Sequence, residues 1–490
     1  MRPAPQTPAA AVAVARRASG PVVAAVAAVL AGLTALTAFI VAALPYQHAG
    51  RATTYLLLLG ACWVLFGVAV VLLRRVPLRA VPALVLIGTA AIGGAAIAGP
   101  PDTTTDSARY AWDGIVQKAG ISPYAYVPAD VHLARLRPEW LFPAPVITAA
   151  GPVCPGDPAG SIGEAHPTQQ IGAPGTICTV INRPQVPTIY PPAAEIVYAA
   201  VRAIVPVSAQ YWPMQALGLL VMLATTAVLL AALRRRGRDP RLAALWGWCP
   251  LVAAEGVTNS HIDLLGAALA LGASLLVARG AGRGARLLAA RGTAVLGGVL
   301  LGLAVAVKLT PLLVAPPILK RSPLRVGLAA LLTVALLYVP YVLASGSRVL
   351  GYLPGYLNEE GYDSGTRSAV LAAVLPPPLV TPAAALLLAA VVVVATIRAQ
   401  RGDPFVAQLV IVGAALLLAS PRYGWYGLLL VPFIAMTGRW EWFAVALVLT
   451  LIQLTGPSIA VPLWLVGAGV ICLVGALFRH RSTLSARSRS

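Results

Sequence analysis

The stretch Pro101-Asp102-Thr103-Thr104-Thr105-Asp106-Ser107-Ala108-Arg109-Tyr110-Ala111-Trp112-Asp113-Gly114 follows directly on an apolar run at 79–99. The junction decides how the chain is read. About 20 consecutive apolar residues match the hydrocarbon thickness of a bilayer. A polar loop bearing Asp102, Asp106 and Asp113 then opens at one edge of it, in a chain with only 16 Asp and Glu among 490 residues.

Outward from that junction the same alternation repeats. Apolar segments fall near 21–44, 53–73, 79–99, 210–233, 241–257, 262–279, 293–307, 326–344, 379–397, 404–419, 424–437, 441–455 and 460–478, with a short apolar piece at 311–319 that reads as a half-helix. Hydrophobic residues make up 59% and charged residues 11%, and the mean hydropathy is +0.82, against about 45–50% and 25% for a soluble domain. The expected fold is an all-α polytopic membrane protein of roughly 12–14 transmembrane helices with loop helices on one face. Residues 21–478 form one transmembrane domain with a long loop at 100–209; residues 1–20 and the basic tail 479–490 flank it. The first apolar run has no clear cleavage site and reads as a retained helix, not a removed signal.

The net charge of +20 belongs to short turns between apolar segments. No basic domain or nucleic-acid module is present, so the arginines read as topology signals and nucleic acid is not an expected partner. Arg16, Arg17, Arg74, Arg75 and Arg79, the cluster Arg234 to Arg241, Arg279, Arg283, Arg286, Arg291, Lys320, Arg321, Arg325, Arg398, Arg401 and the tail mark the cytoplasmic side. Both termini are then cytoplasmic, and 100–209, 258–261, 345–367 and 420–423 face outward. The alternation closes only if 293–319 enters and returns, a helical hairpin around Lys308-Leu309-Thr310-Pro311.

Within the long loop, 107–118 reads as a short helix, 143–187 as irregular, and 191–205 as a helix begun by Pro191-Pro192 and lying at the interface. Cys154 and Cys178 share this loop and are disulfide candidates if it faces an oxidising compartment. Cys62, Cys249 and Cys472 lie in apolar segments as small core residues, and no Cys or His spacing calls for a metal.

Ionisable groups within apolar segments are costly and so are functional candidates. Lys308 holds an anionic group at the membrane edge or snorkels to the interface. Glu255, Asn259, His261 and Asp263 form a polar turn, a pocket wall suited to sugar hydroxyls, or a metal site. Arg422 with Tyr423, Trp425 and Tyr426 reads as an interfacial belt or a phosphate contact. Glu359, Glu360, Asp363 and Arg367 form a solvated loop or a lid. Asp106 and Asp113, two helical turns apart, share a face; Arg109 orients Asp106 from three residues on; and Asp106 competes for the N-cap position.

These residues carry a resemblance. Arg109-Tyr110-Ala111-Trp112-Asp113-Gly114, Gln117, Gly120-Ile121-Ser122-Pro123-Tyr124 and Pro128-Ala129-Asp130 resemble the first outer loop of polyprenyl-phosphate-sugar-dependent glycosyltransferases of the GT-C superfamily, family 87, which includes actinobacterial mannosyltransferases. Ile181-Asn182-Arg183, Thr188-Ile189-Tyr190-Pro191-Pro192, Asn259-Ser260-His261-Ile262-Asp263, Lys308-Leu309-Thr310-Pro311 and Pro421-Arg422-Tyr423-Gly424-Trp425-Tyr426 are similar to its later motifs, in order. The resemblance implies a GT-C bundle with the catalytic aspartate in the first outer loop. The family carries two acidic residues where this chain has Thr105-Asp106, which leaves Asp106 as the base, and Arg183 stands where relatives often have His.

The function so implied is inverting transfer of a hexose, mannose above all, from polyprenyl phosphate to a glycolipid or glycan on the extracytoplasmic face. Asp106 is the general base, Lys308 and Arg422 meet the departing phosphate with Arg109 as a lesser contributor, and Trp112, Tyr124 and Tyr190 stack on sugar or lipid. Asp113, His261, Asp263 and Tyr423 complete the expected substrate contacts, with membrane lipids as surroundings and no cofactor. A transporter or lipid flippase is the alternative, and would need polar groups at midplane on matching broken helices.

Overall fold

The computed structural model describes residues 8–44, 52–149, 151–155, 165–279, 287–320, 322–362, 364–365, 367–400, 403–456 and 458–487. Asp363, Arg283, Arg286, Arg321 and Arg401, and the ends 1–7 and 488–490, lie outside the described residues.

Apolar runs form helices because every backbone polar group in lipid must be satisfied within the segment. In chain order these are α1 (Pro8–Ala43), α2 (Ala52–Leu73), α3 (Val81–Ala95), α4 (Asp106–Lys118), α5 (Pro192–Ala203), α6 (Trp212–Arg235), α7 (Ala244–Gly247), α8 (Asp263–Arg279) and α9 (Leu287–Val307). There follow α10 (Ala315–Leu319), α11 (Pro323–Ser345), α12 (Leu353–Glu359), α13 (Ala369–Ala372), α14 (Pro377–Arg398), α15 (Phe405–Ala419), α16 (Val431–Thr437), α17 (Phe443–Thr455) and α18 (Val461–Arg487).

The chain is thus an all-α polytopic membrane protein. Six of these helical stretches are long and apolar enough to cross a bilayer, and a seventh arises if the π-helical turn Val252–Thr258 and α8, bent by 113°, count as one span. Six more apolar helices have only 10–17 residues, so of the roughly 12–14 helices expected, half are shorter than a bilayer-length span. Hydropathy does not distinguish a long span from a short, broken helix packed inside protein, which lipid exposure does not constrain.

Two sets of turns gather at opposite ends of the bundle. At one end Arg241 donates to the carbonyls of Leu73 and Val76, and Arg238 to that of Met436 and to Asp403. At the other, Gln215 donates to the carbonyls of Gly99 and Thr258, and Gln453 reaches Thr103 and Glu255. Between them runs a continuous core that includes Trp246, Trp248 and Phe433. α9 lies close against α11 through Gly298 and Gly302, four apart, where an added Cβ would stand 2.5 Å from the Val326 carbonyl and 2.6 Å from that of Ala330. This is the small-residue contact that lets membrane helices approach.

Helices form at Asp106–Lys118 and Pro192–Ala203, close to the ranges expected from sequence. They pack together over Gly114, whose Cβ would meet the Tyr198 carbonyl at 2.5 Å. Tyr110, Tyr190 and Tyr198 tie the pair to Ile262 and Val307 of the bundle. The segment 143–187 is not wholly irregular: two antiparallel hairpins form, Val146–Thr148 (β1) with Gly151–Val153 (β2), and His166–Gln169 (β3) with Thr176–Thr179 (β4). Cys154 and Cys178 are joined in a disulfide with Cα atoms 5.5 Å apart, and the other three cysteines are buried and free. Trp112 sits in the small core that this loop builds, edge-on to Phe142.

Candidate active site

The end of α3 and the start of α4 are held by Asn259, whose side-chain oxygen accepts from the backbone N–H groups of Asp102 and Thr103 at 3.0 and 3.1 Å. Thr105 occupies the cap position, so Asp106 is the first helical residue and its carboxylate has no capping duty. Placed at the positive end of the helix dipole, the anion is favoured there. One of its oxygens accepts from Asn182 at 2.7 Å and the other from the Tyr190 hydroxyl at 3.2 Å.

His261 stands behind it. Its ring stacks on Trp425 at 4.0 Å, Nδ1 lies 3.1 Å from Glu255 Oε2, and Nε2 lies 3.9 Å from Asp106. Both ring nitrogens therefore face carboxylates. α9 ends at Val307 and the next residue, Lys308, places its ammonium 3.1 Å from Asp263 and over the rings of Tyr190 and Tyr426. Its side chain is only 18% exposed, so it faces inward rather than snorkelling to solvent.

Arg109 does not orient Asp106, as its three-residue spacing suggested. It reaches one turn the other way and grips both oxygens of Asp113 at 2.9 and 3.0 Å. Asp113 is hydrogen-bonded in turn to Glu195, which also accepts from Thr188 and Gln117. Burial pushes both carboxyls up, Glu195 far above its usual value, because the charged Asp113 stands beside it. Arg109, which grips Asp113 directly, opposes that rise at Asp113. The second guanidinium nitrogen, Nη2, is buried and has no hydrogen-bond partner.

A single cavity of about 340 Å³ joins these parts. Asp106, Arg109, Asn182, Tyr190 and Lys308 line its polar side; Leu309, Leu313, Leu353, Leu357, Ala415 and Leu416 make an apolar wall; Tyr352, Tyr356, Tyr423, Trp425 and Tyr426 stand between. Over the mouth Arg183 forms a two-pronged ion pair with Glu359 at the end of α12, at 2.9 Å to each oxygen, and holds that carboxyl below its usual value.

Of the residues singled out from sequence, Asp106, Arg109, Tyr190, Lys308 and Tyr423 line the cavity, and His261 and Asp263 stand directly behind it. Trp112 and Asp113 are buried beneath it, and the Tyr124 hydroxyl donates to the Tyr190 carbonyl. Arg422 is half exposed, 3.7 Å from Glu360, which Arg367 also approaches. Asn182 and Glu195 were not assigned a role of their own from sequence, and Glu255, expected in a polar turn, pocket wall or metal site, stands behind His261. Glu195, an acid on the apolar face of an amphipathic helix, carried the strongest unused signal.

Asp102 is buried outside the cavity, accepting from Tyr55 and Asn259. Burial, with Glu255 nearby, pushes its carboxyl from 3.8 up to about 7. The folded state therefore binds a proton that the unfolded state has released, and stability falls as pH rises from 3.8 to about 7, then levels. Asp102→Asn is expected to abolish that slope, on the order of 4 kcal/mol across the window. Melting temperatures of both proteins in nanodiscs from pH 4 to pH 8 check it; parallel curves would assign the slope elsewhere.

Among the described residues no group of three or more His, Cys, Asp or Glu is arranged to hold a metal ion. No curated protein and no solved structure matches the chain. Residues 188–421 match the family model of glycosyltransferase family 87. The match takes in Tyr190, His261, Asp263 and Lys308, and begins after Asp106. The match, over just under half of the chain, and the apolar spans together support a polytopic membrane glycosyltransferase that resembles family 87.

Proposed function

We propose that the enzyme transfers a hexose, mannose by preference, from polyprenyl phosphate to a hydroxyl of a glycolipid or glycan on the extracytoplasmic face, with inversion. The observation that carries this reading is the composition of one cavity: a carboxylate, cations and a leucine-lined wall share it. The leucines suit a prenyl tail, the aromatic rings a sugar face, and Lys308 with Arg109 Nη2 a phosphate.

In the proposed step Asp106 takes the proton of the acceptor hydroxyl as its oxygen bonds to the anomeric carbon. The anomeric carbon–oxygen bond to phosphate breaks, and its electron pair leaves with the polyprenyl phosphate. Lys308 and Arg109 meet that growing charge. Asn182 and Tyr190 hold the Asp106 carboxylate in position, and Asp263 fixes Lys308. His261, Trp425 and Tyr423 form a stacked wall behind the sugar. A transporter would want broken helices in matching halves; the bent pair 252–279 is the single such pair among the described residues.

Membranes with and without the enzyme, given a panel of radiolabelled polyprenyl-phosphate hexoses, test the proposal: label should move from the mannosyl donor into a product that survives the mild acid that cleaves a glycosyl phosphate. Label transferred only from a nucleotide sugar would overturn it. The double variant Lys308→Met/Asp263→Asn, which leaves no buried charge unpaired, is expected to raise the KM for the lipid donor about 10–100-fold. An unchanged donor dependence would make the ion pair a structural one.

A further inference from the structure

α15 has a different cavity at each end. Ala415, Leu416 and Ala419 face the catalytic cavity, whereas Val406, Ala407 and Val410 line a second one of about 680 Å³ at the opposite end of the bundle. At 1.5 Å per residue the two sets are centred about 14 Å apart along the helix. The second cavity is a wedge between α14 and α15. Its sides are apolar, Val391 and Val394 of α14 facing Val406 and Val410 of α15, and its rim carries Arg238, Arg398 and Arg439 against one carboxylate, Asp403.

Asp403 is engaged by Arg238 and also lies near Arg439, so a single carboxylate faces three guanidinium groups on the rim. A neighbouring hollow of about 670 Å³ shares Arg238 and Asp403 and adds Arg235, Arg236 and Arg279. The charge excess is thus concentrated where the apolar wedge ends. α14 is among the least covered parts of the bundle: only 6% of its spanning window is buried, as for the stretch that begins with α11, and Val394 is 46% exposed. The wedge is therefore open to the acyl layer along one side and basic at its base.

We infer that this wedge is a binding site for one anionic phospholipid, its phosphodiester held by Arg398 and Arg439 and its acyl chains lying between α14 and α15. Guanidinium forks suit phosphate oxygens in two-pronged contact, and basic pockets between membrane helices recognise anionic headgroups. A soluble phosphate would use the rim and leave the valine walls empty, so the lipid is the occupant that both halves fit. The inference does not depend on the donor or acceptor of the transfer reaction.

The test uses the full-length protein in phosphatidylcholine nanodiscs doped with phosphatidylglycerol or cardiolipin, with retained lipid read by native mass spectrometry. Wild type is expected to retain either anionic lipid about tenfold over phosphatidylcholine. Arg398→Gln/Arg439→Gln should reduce that preference roughly tenfold or more, at about fivefold per guanidinium lost. Val394→Trp fills the wedge without altering charge and should reduce it similarly, which keeps the test alive if the arginine variant fails to fold. Equal retention of all three lipids, an unchanged preference in Val394→Trp, or full competition by millimolar glycerol phosphate would each overturn the site.

Discussion

Asp106→Asn is expected to lower turnover at least about a thousandfold while leaving the protein folded and inserted. The reason is geometric. The Asp106 oxygens already accept from Asn182 and Tyr190, so an amide of the same shape can keep at least one of those contacts, yet it cannot take a proton from an acceptor hydroxyl. The structural cost is small, because Asp106 caps nothing; removing one charge from the first turn of α4 costs about 0.3–1 kcal/mol. Product formed per enzyme at saturating donor is the measurement, with the melting temperature as the control for folding. Activity within tenfold of wild type would remove Asp106 from the role of base and move attention to His261, whose Nε2 is the next proton-accepting atom in reach.

Arg109→Leu is expected to destabilise the protein by about 3–5 kcal/mol, the usual cost of stripping one partner from a buried ion pair. Arg109 is 5% exposed and Asp113 2%, and Glu195 beside them is fully buried, so no water replaces the lost cation. The arrangement makes a second, sharper expectation. Adding Asp113→Asn to Arg109→Leu removes the stranded charge, and the double variant should recover most of the lost stability although it lacks two native groups. Unfolding midpoints of the three variants in the same nanodiscs measure this as a coupling energy. Additive losses would mean that the charge Arg109 balances does not sit on Asp113.

The sequence was legible where a single residue type sets local geometry. Pro191-Pro192 ahead of an apolar run placed α5, and the bilayer-length runs placed the long spans. It was opaque where pairing crosses the chain. Asn182 lies 76 residues from Asp106, and nothing in its own neighbourhood signals that contact. Helical spacing left Arg109 two candidate carboxylates, three residues back and four ahead, and burial decided for the latter. The hairpins between Val146 and Thr179 have strands of three or four residues, too short for alternation to register. The cavity itself rests on α12 and the 420–426 turn closing over α9, a tertiary event with no local pattern.

The apolar wall of the catalytic cavity has one kinetic consequence. Leu309 and Leu357 line it and are each 44% exposed, so the wall is open and not sealed by protein. If the donor is the lipid carrier proposed above, it is sampled per unit area of bilayer, not per unit volume of buffer. The rate then follows the mole fraction of carrier among surrounding lipids, and extra detergent slows the enzyme by surface dilution while the total substrate in the tube stays the same.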